Sequence, residues 1–248
     1  MSERFFLAVP PAGGRAALEG DEARHCSRVL RAKVGDTIRV FDGRGGEWQA
    51  HIVAIKRDAV ALEIGEPLPS AAPPAVRLTL AVALPKGERQ KWLVEKLTEL
   101  GTDRLVPLTT ARGVAEATDS ARARLERGAV EACKQCGRNV LMEITTPTTL
   151  EELAARHPAA TLLIAHPGAA PLRDRSIATP GQVIQEIVAA VGPEGGFAPE
   201  ELDLATAAGF RPVSLGPHIL RIETAAILLA SWQRLGRFQP SCSDDPQR

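Results

Sequence analysis

The 248-residue sequence contains no tyrosine, and aromatic residues make up only 4% of it. A platform that binds single strands by stacking successive bases on aromatic rings is therefore not expected. Charge of either sign is not in excess, with 30 basic and 30 acidic side chains. Residues 1–70 alone are balanced, 10 against 10. A polybasic tail, or a protein that coats a polyanion by bulk attraction, is excluded on that ground, whereas specific binding is left open. No apolar run approaches the ~20 residues that span a bilayer, and 225–232, the best candidate, stops short, so no membrane partner is expected. The first residues lack the apolar core of ~7–15 residues that a secretory signal needs, and the expected location is cytoplasmic. Of the four cysteines only Cys133 and Cys136 form a C-x-x-C, with no second pair to complete a zinc site. They close a helical pattern at i and i+3, so packing is expected of them rather than metal or redox chemistry.

Hydrophobic residues at 44% and charged residues at 24% are ordinary for a soluble globular protein. At ~150 residues per domain the length suggests one or two domains. Residues 1–70 read as a small β-barrel-like unit. The β-rich runs are 37–41, 47–55 and 59–64, the first two separated by the turn Asp42-Gly43-Arg44-Gly45-Gly46, and a helical patch over 20–30 precedes them. Residues 66–74 then hold four prolines, a semi-rigid composition that marks a linker, placed at 71–75. Beyond it the texture alternates. Strands are expected at 77–84, 104–108, 140–145, 161–165, 186–191 and 211–215. Helices are expected from Gly87 to about 100, over 119–136, after a capping box at Thr149 and Glu152, over 199–208 and over 223–235. Such alternation predicts an α/β domain with a mostly parallel sheet. Residues 239–248 form a polar tail.

Ligands of open parallel sheets bind at the carboxyl ends of the strands. Three of these ends carry unusual loops: His166-Pro167-Gly168, Gly192-Pro193-Glu194-Gly195-Gly196, and the run from Leu215 through Gly216, Pro217 and His218 to Thr224. Glycine lets backbone groups approach a ligand closely, and proline stiffens the loop beforehand. Neither G-x-x-x-x-G-K-[ST] nor G-x-G-x-x-G occurs, which sets aside the P-loop and the dinucleotide fold. Rigid loops with few charges suit a ligand held by backbone hydrogen bonds and apolar walls, such as an adenosine moiety.

The strings Ser27-Arg-Val-Leu-Arg31, Phe41-Asp-Gly43, Pro85-Lys-Gly-Glu-Arg89, Glu95-Lys-Leu-Thr-Glu-Leu-Gly101 and Glu131-Ala-Cys-Lys-Gln-Cys-Gly-Arg138 follow one another along nearly the whole chain. With Val191-Gly-Pro-Glu-Gly-Gly196 and Leu215-Gly-Pro-His-Ile-Leu-Arg-Ile-Glu-Thr-Ala225, the pattern resembles the RsmE family, ribosomal RNA small subunit methyltransferase E, of the SPOUT class. The resemblance implies a PUA-like β-barrel over 1–70 and a SPOUT methyltransferase domain over 76–238 with a deep trefoil knot. It implies a homodimer with its active site where the subunits meet, S-adenosylmethionine as cofactor, and methylation of N3 of one uridine in 16S ribosomal RNA of the assembled small subunit. The cofactor would be held by Ile164, Ala165, His166 and Pro167, by Gly192 to Gly196, and by Leu215, Gly216, Ile219, Leu220, Arg221 and Thr224. His218 and Ile222 depart from the family pattern, where basic and hydroxyl residues are more usual. The rivals are a SPOUT methyltransferase acting on another RNA position or atom, and a non-catalytic RNA-binding assembly factor.

Uridine N3 carries an imide proton, so it becomes a nucleophile only once that proton leaves. A planar, permanently charged guanidinium suits the developing uracil oxyanion. Arg138 and Arg221 are the candidates, and Glu223 or Glu194 is the candidate general base. Arg138 also follows a helix-ending glycine, where the helix dipole favours a cation, and Glu223 also suits a helix start. Contact with RNA phosphates is expected from Arg24, Arg28, Arg31, Lys33 and Arg44 in the N-terminal unit and from Lys86 and Arg89 near the next helix start. The target uridine would have to leave its stack.

Overall fold

The computed structural model describes residues 4–70, 74–113, 118–172 and 184–236. The chain forms two compact units. The first takes Met1–Pro73 and Ala129–Leu141, and the second takes Pro74–Gly128 and Met142–Arg248. The expected linker falls mostly on 71–73, and the expected tail on 239–248, outside the described residues.

The first unit holds a five-stranded sheet made of β1 (Arg4–Phe6), β2 (Arg15–Glu19), β3 (Thr37–Phe41), β4 (Glu47–Ile55) and β5 (Ala59–Pro67), in the order β1-β3-β4-β5-β2. All pairs are antiparallel except β1 with β3. The period of two shows on β4, where Ala50 and Ile52 are buried and His51 and Val53 face outward. Phe5, Leu18, Ile38, Val40, Ile52 and Leu62 form the core of the unit. The glycine turn between β3 and β4 is held by Asp42, whose Oδ1 accepts from the backbone N–H of Arg44 at 2.8 Å and of Gly46 at 3.0 Å. The helical patch expected over 20–30 is two pieces, α1 (Gly20–Arg24) and one π-helical turn, His25–Val29.

A buried cation explains why residues 129–141 belong to this unit. Arg4 pairs with Glu47 at 2.9 Å, and their side chains are 8% and 11% exposed. Its other nitrogens donate to the carbonyl of Cys133 at 2.6 Å, to the carbonyl of Arg138, and to the side-chain oxygen of Asn139. Asn139 in turn donates to Glu47 at 3.1 Å, and the Arg4 guanidinium lies 4.6 Å from the Phe41 ring centroid. Lys134 pairs with Glu22 at 2.9 Å. Leu141 N–H donates to the Gly43 carbonyl at 2.9 Å, and Gly45 N–H to the Asn139 carbonyl at 3.0 Å. These last bonds also correct the strand expected at 140–145. Only Glu143–Ile144 extends the second unit's sheet, because residues 139–141 are committed to the glycine turn instead.

The second unit runs β6 (Arg77–Val82), α2 (Glu88–Glu99), β7 (Arg104–Pro107), α3 (Asp119–Cys136, whose last eight residues belong to the first unit), β8 (Glu143–Ile144), α4 (Leu150–Arg156), β9 (Thr161–Ala165), β10 (Glu186–Val191), α5 (Pro199–Ala207), β11 (Arg211–Val213) and α6 (Ile222–Gly236). Its six strands are all parallel, ordered β11-β9-β10-β6-β7-β8. β6 and β10 are almost continuously buried, as strands covered on both faces must be. Half of the expected capping box is present. Thr149 accepts from the Glu152 N–H, but the Glu152 carboxylate takes the Thr148 hydroxyl instead of returning to the cap.

Candidate cofactor site at the strand ends

The sheet order sets β11, β9 and β10 side by side, with Val213 against Ala165 and Ala190 against Ile164. Three loops therefore leave neighbouring strand ends and converge on a cavity of ≈ 340 Å³, within the ~300–1,000 Å³ usual for small-ligand sites. Most of the expected cofactor residues line it. Ala165, His166 and Pro167 come from the first loop, Gly192 to Gly196 from the second, and Leu215, Gly216, Ile219 and Leu220 from the third. Three do not. Ile164 is fully buried in the core, because the strand period sets it on the face opposite to its neighbour Ala165. Arg221 is exposed and outside the lining, and Thr224 lines a separate, mainly apolar groove of ≈ 300 Å³ with Leu220, Ile227 and Leu228.

Val191, Phe197, Ser214 and Ala225 also line the cavity, and nothing in the sequence had placed them there. His218 and Ile222, the two departures from the family pattern within the expected third loop, are walls of the cavity as well. Phe197 explains why residue 192 is glycine. A Cβ there would stand 2.8 Å from the Phe197 ring. Gly196 (φ +69°) and Gly216 (φ +135°) adopt backbone that L side chains avoid. Gly196 N–H donates to Pro193 carbonyl at 2.8 Å, closing the second loop on itself. In the third, Ser214 Oγ donates to the Gly216 carbonyl at 3.1 Å. His166 N–H donates to the Val213 carbonyl at 2.9 Å, and Leu172 N–H to the Ser214 carbonyl at 2.8 Å, tying the first loop to the third.

Two arginines hold the second loop from outside the lining. Arg112 donates to the Gly195 carbonyl at 2.7 Å, and Arg89 donates to Glu194 at 3.0 Å. Nothing in the sequence singled out Arg112. Arg89 also stands 3.7 Å from Glu223, a carboxylate only 8% exposed. Glu223 lies between the lining residues Ile222 and Ala225, yet its own side chain meets Arg89 and not the cavity. Arg138 lies in the first unit, half-buried, with its carbonyl taken by Arg4.

Of the cations expected on RNA, Arg24, Arg28, Arg31, Lys33 and Arg44 are exposed on the first unit and Lys86 on the second. Arg24 is paired with Asp21. Arg28 ends the π-helical turn, and Arg31, at φ 56°, follows it. Exposed Val29 and Val34 lie among them in the sequence. Cys133 is buried and Cys136 exposed, both as free thiols. Burial pushes the Cys133 thiol up to about 11, against the opposing charges of Arg138 and Arg4, so it stays protonated where a redox cysteine must ionise. Among the described residues no group of three or more His, Cys, Asp or Glu could hold a metal ion, and no helix is long and apolar enough to cross a membrane.

Comparison with known proteins accords with this geometry. An RNA methyltransferase domain family matches residues 72–234, and an RNA methyltransferase PUA domain family matches residues 18–65. Ribosomal RNA small subunit methyltransferase E of Mycobacterium bovis is 31% identical over 97% of this chain and 95% of its own. The protein of that name from Synechocystis is 34% identical over 82% of this chain and 67% of its own. The crystal structure of the Neisseria gonorrhoeae enzyme of that name, bound to S-adenosylmethionine, superposes with a TM-score of 0.84 at 28% identity, covering 95% of this chain and 98% of that one. A Legionella pneumophila structure with the same bound cofactor gives a TM-score of 0.82 at 31% identity, covering 93% and 96%.

Proposed function

The chain belongs to the family of RNA methyltransferases that includes ribosomal RNA small subunit methyltransferase E, and on that premise we propose that it uses S-adenosylmethionine to methylate N3 of one uridine of 16S ribosomal RNA in the small subunit. The observation that carries the reading is the cavity at the ends of β9, β10 and β11. It has the volume of a small-ligand site, glycines where a ligand must approach backbone, and a largely apolar wall from Val191, Phe197, Leu215, Leu220 and Ile222. Those features fit an adenosine moiety between backbone donors and apolar side chains. When bound, the cofactor supplies an electrophilic methyl group on its sulfonium.

The chain's own residues have three tasks in this reading. The loops hold the cofactor in one orientation, and alignment of two bound reactants is worth ~7–11 kcal/mol of the barrier. The N3 proton passes to a carboxylate, for which Glu194 on the cavity wall is the candidate. Arg138 and Arg221 stabilise the uracil anion that remains, since each offers paired donors and a permanent charge. Exposed Arg28, Arg31, Lys33 and Arg44 on the first unit, and Lys86 on the second, contact phosphates and fix register without reading bases. Glu223 is a less favourable general base than its sequence position suggests, because it faces Arg89 and not the cavity.

The reading includes a homodimer and a trefoil knot around the third loop and α6. Supporting the dimer, the apolar groove along α6 lies beside the cavity loops, and Leu228 (41%) and Ile219 (84%) are exposed, the kind of strip that a second copy covers. A single-chain mass in solution would contradict it. The catalytic role is tested with Arg138→Ala. Turnover on small subunits is expected to fall about 100-fold, the loss typical of one electrostatic stabiliser, with calorimetric affinity for S-adenosylmethionine retained. A parallel loss of both would move Arg138 into the cofactor site.

A further inference from the structure

We propose that Arg89 is a positioning residue of the cofactor site, and that its guanidinium ties the Glu194 wall of the cavity to the buried carboxylate at the head of α6. This rests on the cofactor reading above. Arg89 closes the string Pro85-Lys-Gly-Glu-Arg89, where it was expected beside Lys86 as a phosphate contact, and that expectation does not account for its carboxylate partners.

The sheet explains how it reaches them. β6 and β10 are neighbours in register, Val82 against Val191. The chain leaving β6 turns at Gly87 (φ 66°) into α2, and the chain leaving β10 forms the glycine loop. Both therefore start from the same edge of the sheet, which brings Arg89, on the first turn of α2, to Glu194, third in its loop after β10. The other prong of the guanidinium meets Glu223, on the first turn of α6. One side chain thus spans three elements, two of which bear cavity walls: Glu194 on one, Ile222 and Ala225 on the other.

The burial of Glu223 gives the tie its direction. One of its oxygens is inaccessible and has no hydrogen-bond partner among the described residues, so the charge at 3.7 Å is what compensates it. Arg89 is consequently held on the α6 side, and the half-exposed Glu194 is fixed through it. With Arg112 on the Gly195 carbonyl, the loop is anchored at two successive residues before a ligand arrives. Anchoring of this kind lowers the ordering cost of binding. It acts on cofactor affinity without any contact between Arg89 and the cofactor.

The test is calorimetry of S-adenosylmethionine binding to the full chain, with Arg89→Gln, Arg89→Lys and the double variant Arg89→Gln/Glu223→Gln. Arg89→Gln is expected to weaken binding about 5- to 10-fold, a usual size for coupling through a positioned group. Arg89→Lys should recover part of this, keeping the charge but not the two-pronged fork. The double variant strands no buried charge, so it should unfold thermally close to the unsubstituted protein while still binding weakly. Unchanged affinity in both glutamine variants would overturn the proposal. If those variants lost affinity for RNA alone, Arg89 would be a phosphate contact. An unsubstituted chain that bound no S-adenosylmethionine would instead sink the cofactor reading itself.

Discussion

Arg4→Ala is expected to destabilise the first unit by about 3–5 kcal/mol, the cost of breaking a buried ion pair from one side. The substitution removes more than a charge. It leaves Glu47, 11% exposed, without its cation, and frees the carbonyl of Cys133 and the side-chain oxygen of Asn139. Domain stabilities are commonly ~5–15 kcal/mol, so a loss of this size leaves the unit marginal. Residues 129–141 depend most directly on Arg4, because it touches three places along them. Urea unfolding followed by circular dichroism measures the effect. Protection of the amides of Gly45 and Leu141, whose donors bridge the glycine turn and this segment, should fall at lower denaturant than in the unsubstituted chain. A loss below ~1 kcal/mol, the range of an exposed pair, would show that the network is not what holds the segment.

Gly192→Ala is expected to cut S-adenosylmethionine affinity about 5- to 150-fold, taking ~1–3 kcal/mol for an overpacked methyl. The added carbon would stand 2.8 Å from the Phe197 ring. That ring is 6% exposed, packed into the second unit's core on one side and lining the cavity on the other. The core is close-packed and yields little, so the ring or the loop must move toward the cavity. Calorimetry reads the loss, and Gly192→Ala/Phe197→Leu should restore part of it by making room. Full affinity in the single variant would mean that the cavity is wider or the loop softer than the structure implies.

The strands of the second unit were legible in the sequence because a sheet buried on both faces demands continuous apolar runs, as at 186–191, and because Gly192 and His166-Pro167 end the runs sharply. β1 and β2 were not. Arg4–Phe6 is too short for a periodic signal, and Arg15–Glu19 alternates weakly and becomes a strand only by pairing with β5. The allegiance of residues 129–141 was hidden for a different reason: it depends on Arg4, 129 residues away from Cys133 along the chain. At the site, the glycine loops announced themselves, since unusual backbone calls for an unusual residue. Phe197 and Ser214 did not, because an apolar residue after a loop and a serine at a strand end are everywhere. Glu223 was visible as a charge at a helix start, but its orientation toward Arg89 is set by the packing of α6 against α2, which the order of elements in sequence does not reveal.

The central claim is the atom that receives the methyl group. Small subunits from a strain lacking this gene, incubated with the protein and isotopically labelled S-adenosylmethionine, then digested and mapped by mass spectrometry, give the answer directly. The account predicts label in N3-methyluridine at a single position of 16S RNA. Label on a ribose 2′-hydroxyl, on guanine or on no nucleoside, or N3-methyluridine already present in the deletion strain's subunits, would contradict it.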